Sequence, residues 1–238
     1  IIKKKLMISF IVPTLNEVGN IEKTIEKITK NFNNNYNFEI IFVDDKSDDG
    51  TLDKIQLISK NNTNIKLIIS EERLGLGNAL IQGQTKASGE YIFFLDCDNS
   101  INYDDLNKLI KSCDENSLII GSRYITNSKI NGVNKIKIFL SRFLNFVISK
   151  YLDINAIDIS HSCRLFPKKI LLKTSNLRHP VFFWEHSLYC AYKNLKIVEI
   201  PIEFDERKSG KTKNSFFSLF KNIFFAIISI VNLKFKYK

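Results

Sequence analysis

The feature that most constrains this chain is the regular alternation, through its first half, of short β-rich apolar runs with stretches of helical periodicity. The runs are LMISFIV, FEIIFV, IKLIIS, YIFFL and SLIIG, and the helical stretches between them fall at residues 18–32, 50–60, 76–87 and 103–113. Strands separated by helices build parallel βαβ units, so the expected fold class is α/β: an open, mostly parallel sheet with helices on both faces. Such sheets bind ligands at the carboxyl ends of their strands. Those ends read Pro13-Thr14-Leu15-Asn16-Glu17, Asp44-Asp45-Lys46-Ser47, Glu71-Glu72-Arg73 and Asp96-Cys97-Asp98, so polar residues gather where a site is expected.

Asp96 and Asp98 follow YIFFL, a run apolar enough to be a central strand. On an extended chain, residues with one residue between them point the same way, and two oxygen ligands at that spacing suit Mg2+ or Mn2+ with room left for phosphate oxygens. The ion would neutralise charge developing on a diphosphate leaving group. Acidic pairs in solvated turns are common, so it is the position after a buried strand that makes the pair informative. In VDDKSDDGT, Asp45 is placed to meet the ribose or base of a nucleotide, while Ser47 or Asp48 as N-cap and Asp49 in the first turn would start the next helix. RLGLGNALIQG has Gly75 and Gly77, but its third glycine is Gly83, which breaks the dinucleotide spacing and excludes an oxidoreductase of that type.

The second half changes character. Residues 134–152 read as a strongly apolar helix with Lys135, Lys137, Arg142 and Lys150 interspersed, too greasy for an ordinary solvated surface. A basic loop, Arg207 to Lys213, precedes FFSLFKNIFFAIISIVNLKFKYK, whose apolar stretch is interrupted by Lys221 and Asn222 and followed by Lys234, Lys236 and Lys238. That pattern favours a helix lying in a membrane interface over one crossing it. The expected organisation is a domain over residues 7–213 and an interfacial helix with a basic tail over 214–238.

With 35 basic against 25 acidic residues the formal charge is +10, which favours anionic partners without choosing among nucleotides, lipid headgroups and nucleic acid. A nucleic-acid module is disfavoured, because aromatic residues do not interleave with a basic strand pattern and the acidic strand ends would repel a polyanion. Cys97, Cys113, Cys163 and Cys190 show no C-x-x-C pair, so free thiols in a reducing compartment are expected. LMISFIV ends at Pro13 without a cleavage site and reads as a core strand, not a signal peptide; the expected location is cytoplasmic, peripheral to the inner membrane face.

Taken in order, VPTLNE, VDDKSDDGT, the G-N-A helix followed by ASGEYIFFLDCDNS, GSRY, DISHSCRLF and ERKSGKTK resemble the family 2 glycosyltransferases, in particular the dolichyl-phosphate mannose synthase and polyprenyl-phosphate sugar synthase branch. The resemblance runs from about Ile8 to Lys213. It implies a GT-A type nucleotide-sugar-binding fold followed by C-terminal apolar helices. It places Pro13, Thr14, Glu17, Asp45, Asp96 and Arg123 around a GDP- or UDP-linked sugar, and Asp96, Asp98 and Ser100 around Mg2+ or Mn2+. Arg164, Arg207, Lys211 and Lys213 become acceptor or phosphate contacts. His161, Ser162 and Cys163 depart from the small-residue pattern usual there.

The implied reaction is an inverting transfer in which Asp98, Glu185 and Arg207 carry the catalytic roles. A hydroxyl acceptor needs a general base, and Glu185 in Trp184-Glu185-His186 is the residue available by position. A lipid phosphate needs none, its second pKa being near ~6. The greasy helices and the RKSGKTK loop favour a polyprenyl or dolichyl phosphate, with mannose from GDP-mannose as donor and Glu185 orienting basic groups. Transfer to a saccharide or glycolipid hydroxyl, with Glu185 as base, is the alternative.

Overall fold

The computed structural model describes residues 6–32, 36–98, 100–171, 181–206, 229–233 and 235–237. Arg207, Lys211, Lys213 and most of the expected C-terminal interfacial helix lie outside these residues.

Each of the five apolar runs is a strand: β1 (Met7–Thr14), β2 (Asn37–Asp44), β3 (Ile65–Ile69), β4 (Tyr91–Phe94) and β5 (Ser117–Ser122). The helices between them are α1 (Ile21–Phe32), α2 (Thr51–Lys60), α3 (Leu76–Lys86) and α4 (Tyr103–Lys111). Then come β6 (Lys129–Asn131), α5 (Lys135–Leu152), β7 (Arg164–Pro167), α6 (Val181–Tyr192), β8 (Lys196–Pro201) and β9 (Glu203–Asp205). The main sheet runs β3-β2-β1-β4-β7-β5-β8, and β6 pairs with β9 in a separate parallel ribbon. β7 is antiparallel to both its neighbours, β4 and β5. Its four residues carry no alternation and are all buried, so no periodicity in the sequence marks it as a strand.

Alternate residues of the buried strands feed two cores. Ile8, Phe10 and Val12 of β1 pack with Ile21 and Ile28 of α1, Ile55 of α2 and Leu106 and Leu109 of α4. Ile11 packs on the other face with Ala79 and Leu80 of α3 and Phe182 and Phe183 of α6. Gly83 has a packing reason: a Cβ there would lie 2.3 Å from Ile11 Cγ2, so α3 approaches the sheet only with glycine at this point. A third cluster joins Ile148 and Leu152 of α5 to Val181 and Trp184 of α6 and to Ile230 and Leu233.

The outer face of α5 is unpacked. Phe139 and Phe143 are 68% and 57% exposed and stack on each other at 6.4 Å, with Ile136, Leu140, Phe146 and Val147 exposed beside them. Among the described residues no helix is long and apolar enough to cross a membrane.

Candidate functional site

β2 lies on one side of β1 and β4 on the other, so the chain reverses its order of strand addition between β1 and β4. The crevice at the carboxyl ends of such a pair is where open α/β sheets place ligands. The loops after β1, β2 and β4 all leave the sheet at that end.

The first two loops are bound to each other. Asn16, in left-handed conformation at φ 60°, donates from its amide to Ser47 Oγ at 2.9 Å and exchanges bonds with Asp48. Glu17 donates from its amide to Thr51 Oγ1 at 2.8 Å, and its carboxylate accepts from Asn20. Asp44 is fully buried and accepts from Thr14 Oγ1 and from the amide and hydroxyl of Ser47, which makes it an internal brace. Asp45 accepts from the amides of Leu74 and Gly75 at 3.0 and 3.1 Å, drawing the loop before α3 to the rim. The expected helix cap is corrected here. Gly50, at φ 91°, occupies the N-cap of α2, Asp49 accepts from the Thr51 amide, and Ser47 and Asp48 are spent on Asp44 and Asn16.

Asp96 and Asp98 come together in a different way from that expected. β4 ends at Phe94, and Cys97 and Asp98 form a turn, so strand alternation does not align the two carboxylates. The turn is closed by the Ser100 amide donating to Asp98 Oδ1 at 3.0 Å, and Ser162 donates to Asp96 Oδ2. Burial, and next the charge of Asp98, push the Asp96 carboxyl up to about 7. Behind the turn, Thr24, Lys27, Leu95, Asp96, Ser100 and Ile101 line a small cleft, where Lys27 Nζ donates to Ile101 O at 2.5 Å. Burial lowers the Lys27 pKa while Asp98 opposes the shift.

No group of three or more His, Cys, Asp or Glu side chains able to hold a metal occurs among the described residues. Two carboxylates are what remain, and their mutual repulsion is what a cation between them would relieve. Mg2+ and Mn2+ sites completed by water and phosphate oxygens ask for one or two protein carboxylates, so the donor set fits such an ion and does not fit a closed structural site. Ser100 is buried, and its amide is committed to Asp98.

Arg123, directly after β5, is the basic residue nearest in effect to Asp96: its charge acts against the rise of the Asp96 pKa. Its guanidinium lies over the rings of Tyr124 and Phe204 and grips Asp158. Pro13 is part-exposed on β1, one residue from the buried Thr14.

Two expected residues are elsewhere engaged. Arg164, expected at a phosphate, is fully buried, and its three nitrogens donate to the carbonyls of His161, Ile159 and Phe183 and to Ser187, with His186 Nδ1 at 3.1 Å. It pins β7 to α6, and burial lowers its pKa to about 10. Glu185, expected as a base or as a partner of acceptor-site cations, is also fully buried in α6, and Lys236 and Tyr237 donate to its Oε1 at 2.6 and 3.1 Å. Its carboxylate faces the end of the chain.

Lys27 and Asp158 escaped the reading of the sequence, and Ser162 entered it only as a departure from the family's small-residue pattern. Lys27 and Thr24 interrupt the inward stripe of α1 with polar groups, which is the signal that marks them. Asp158 and Ser162 lie inside DISHSCRLF, where one carboxylate and a serine four residues on gave no spacing to follow. All four cysteines are free thiols, with Cys97, Cys163 and Cys190 buried.

A mostly parallel sheet with a paired-carboxylate turn at its β1/β4 switch defines the GT-A class of α/β fold. Glucosyl-3-phosphoglycerate synthase from Mycobacterium tuberculosis, solved with uridine diphosphate, superposes with a TM-score of 0.66 at 16% identity, over 96% of this chain and 80% of that one. A mannosyltransferase from Pyrobaculum calidifontis, solved with GDP-Man and Mn2+, gives 0.63 at 19% identity, over 88% and 59%. The chain belongs to glycosyl transferase family 2, whose model matches residues 9–174. It is 30% identical over 216 residues to a dolichol-phosphate mannosyltransferase of Pyrococcus furiosus, covering 87% of this chain and 59% of that relative's length. It is 25% identical over 234 residues to a dolichyl-phosphate beta-glucosyltransferase of Trichomonas vaginalis, covering 90% and 70%.

Proposed function

We propose that this chain transfers a hexosyl group, with inversion, from a nucleoside diphosphate sugar to a polyprenyl or dolichyl phosphate at the cytoplasmic face of a membrane. The observation that carries the reading is the Asp96–Asp98 turn at the β1/β4 switch. Asp96 and Asp98, with Ser100 as the further ligand, would hold a Mg2+ or Mn2+ ion there, and the Ser100 amide fixes Asp98. Bound, the ion supplies charge to the departing diphosphate. Pro13, Thr14, Glu17 and Asp45 enclose the nucleoside, and Arg123 offers a fork-shaped donor to a phosphate.

The acceptor's phosphate oxygen attacks the anomeric carbon, and the bond to the diphosphate breaks from the opposite face with its electrons leaving on the diphosphate. A dianionic phosphate gives up no proton, so the reaction asks for cations, not a base. Arg207, Lys211 and Lys213 are assigned to that anion by sequence alone. The hydroxyl-acceptor alternative requires Glu185 as base, and the Lys236 and Tyr237 contacts to that carboxylate disfavour it. Mannose is favoured by the Pyrococcus relative's name, with GDP-mannose the donor we prefer, and glucose by that of the Trichomonas relative. The exposed apolar face of α5, flanked by Lys135, Lys137 and Arg142, supports peripheral contact with an anionic bilayer.

The deciding experiment offers GDP- and UDP-linked sugars with a polyprenyl phosphate and, separately, with a sugar acceptor. Product on the lipid phosphate is expected. Product only on the sugar acceptor overturns the acceptor assignment, and no product with either overturns the reading.

A further inference from the structure

Asp158, in the segment between α5 and β7, is fully buried, and its carboxylate accepts three hydrogen bonds from one residue. They come from the Arg123 amide at 2.9 Å, Nε at 2.8 Å and Nη2 at 2.7 Å. The segment is held from two sides. Glu199 on β8 accepts from the amides of Ile157 and Asp158 at 2.7 and 2.8 Å. Asn145 on α5 accepts from the Ser160 amide at 3.0 Å and donates to its hydroxyl at 2.9 Å. Four residues beyond Asp158, Ser162 reaches Asp96. One short segment therefore fixes both a cation and a carboxylate of the site.

The grip on Arg123 is one-sided. Nε and Nη2 are taken by Asp158, with Ser160 Oγ also 3.3 Å from Nη2, while Nη1 has no hydrogen-bond partner among the described residues. The side chain is 18% exposed. A long side chain free to rotate loses its freedom on binding a ligand, and one already clamped does not. We propose that Asp158 is a positioning residue: it holds one edge of the Arg123 guanidinium so that the other edge, at Nη1, faces a substrate phosphate beside Asp96. The proposal rests on the glycosyl-transfer reading only for which phosphate is met, the donor's diphosphate or the acceptor's monophosphate.

The test uses the full chain and titration calorimetry. The probes are GDP and UDP with Mn2+, and citronellyl phosphate as a short prenyl monophosphate; guanosine and uridine serve as phosphate-free controls. Asp158→Asn keeps the side chain's shape and removes its charge. It is expected to weaken, by about tenfold, the probe that Arg123→Ala weakens, as loss of a charged hydrogen-bonded pair does. Nucleoside binding is expected to stay unchanged, and Asp158→Asn is expected to add no loss in the Arg123→Ala background.

A purely structural role would weaken the nucleosides as well, or add its loss to that of Arg123→Ala, and either result overturns the proposal. So does undiminished binding of every phosphate probe by Asp158→Asn. If that variant does not fold, Glu199→Gln loosens the same segment from outside the site, and the same outcomes decide. Wild-type protein that binds neither GDP nor UDP removes the donor reading and leaves the citronellyl phosphate arm to decide Asp158; binding of none of the three overturns both.

Discussion

Lys236 Nζ lies 2.6 Å from Glu185 Oε1, so a carboxylate fully buried in α6 is answered by a lysine from the last described turn of the chain. Ile230 and Leu233 dock beside it against Trp184 and Leu152, which makes these described residues part of the packed body. Glu185→Gln is therefore expected to lower the denaturation midpoint while transfer stays within about tenfold of wild type. Loss of a general base costs roughly a hundredfold to ten-thousandfold, so a drop of that size in a folded variant would restore the base assignment. Lys236→Met is expected to destabilise by about 1–3 kcal/mol, the range for stranding a buried polar partner, as read by urea unfolding.

The paired carboxylates give the second prediction. With Asp98 removed, one carboxylate remains at the turn, and the Ser100 amide loses its acceptor. Asp98→Ala is expected to abolish the part of GDP or UDP binding that depends on Mn2+, measured by calorimetry with and without the ion. Binding that is independent of the ion in wild type and unchanged in Asp98→Ala would sink the metal assignment.

The third concerns α5. Phe139 and Phe143 touch no core cluster, so replacing both with Asp should leave the unfolding midpoint within about 0.5 kcal/mol of wild type, as for surface changes in general. Co-sedimentation with vesicles containing anionic lipid is expected to fall at least tenfold. Equal sedimentation of the two proteins would remove α5 from the membrane-contact reading.

What the sequence revealed follows how locally each feature is encoded. β1 to β5 and the helices between them were legible because apolar runs, and the helical stretches between them, each state their own conformation. β7 was not, because four buried residues have no period and its antiparallel place between β4 and β5 is set by partners distant in the chain. Asp96 and Asp98 were found for a reason that needed correction: a turn brings them together, and a strand does not. Arg164 and Glu185 were assigned from the family resemblance, which carries no information about what buries each side chain in this chain. Here each is answered by groups distant in the chain, Phe183 and Ser187 for the one and Lys236 for the other.

Arg164 accordingly yields a prediction about stability. Its guanidinium supplies donors to three buried carbonyls at once, which an ammonium on a flexible stem does not reproduce. Arg164→Lys is expected to cost roughly 3 kcal/mol of folding free energy, since the Phe183 carbonyl keeps the Ser187 hydroxyl while those of Ile159 and His161 are stranded at about 1–3 each. In the fraction that remains folded, Mn2+-dependent GDP or UDP binding should be unchanged. Selective loss of nucleotide binding at full stability would return Arg164 to the phosphate site.

The last prediction is a dependence on pH. His161 is buried against Phe204 with Nδ1 unpartnered among the described residues, and burial, then the charge of Arg123, lower its pKa to about 3. The unfolded chain takes up the proton near pH ~6.5, and the folded chain does not until far below it. Stability from this residue is thus complete above pH ~6.5 and is lost as pH falls toward 3, at about 1.4 kcal/mol per unit once well below ~6.5. Asp96 acts in the opposite sense over the same window, because a carboxyl raised to about 7 gains its proton in the folded state first. Its contribution is common to wild type and a His161→Leu variant and cancels between them. Between pH ~7.5 and ~5.5, His161→Leu is therefore expected to lose about 1.4 kcal/mol less stability than wild type, read from urea midpoints at the two values. Parallel losses would show that His161 takes its proton in the folded state as readily as in the unfolded one.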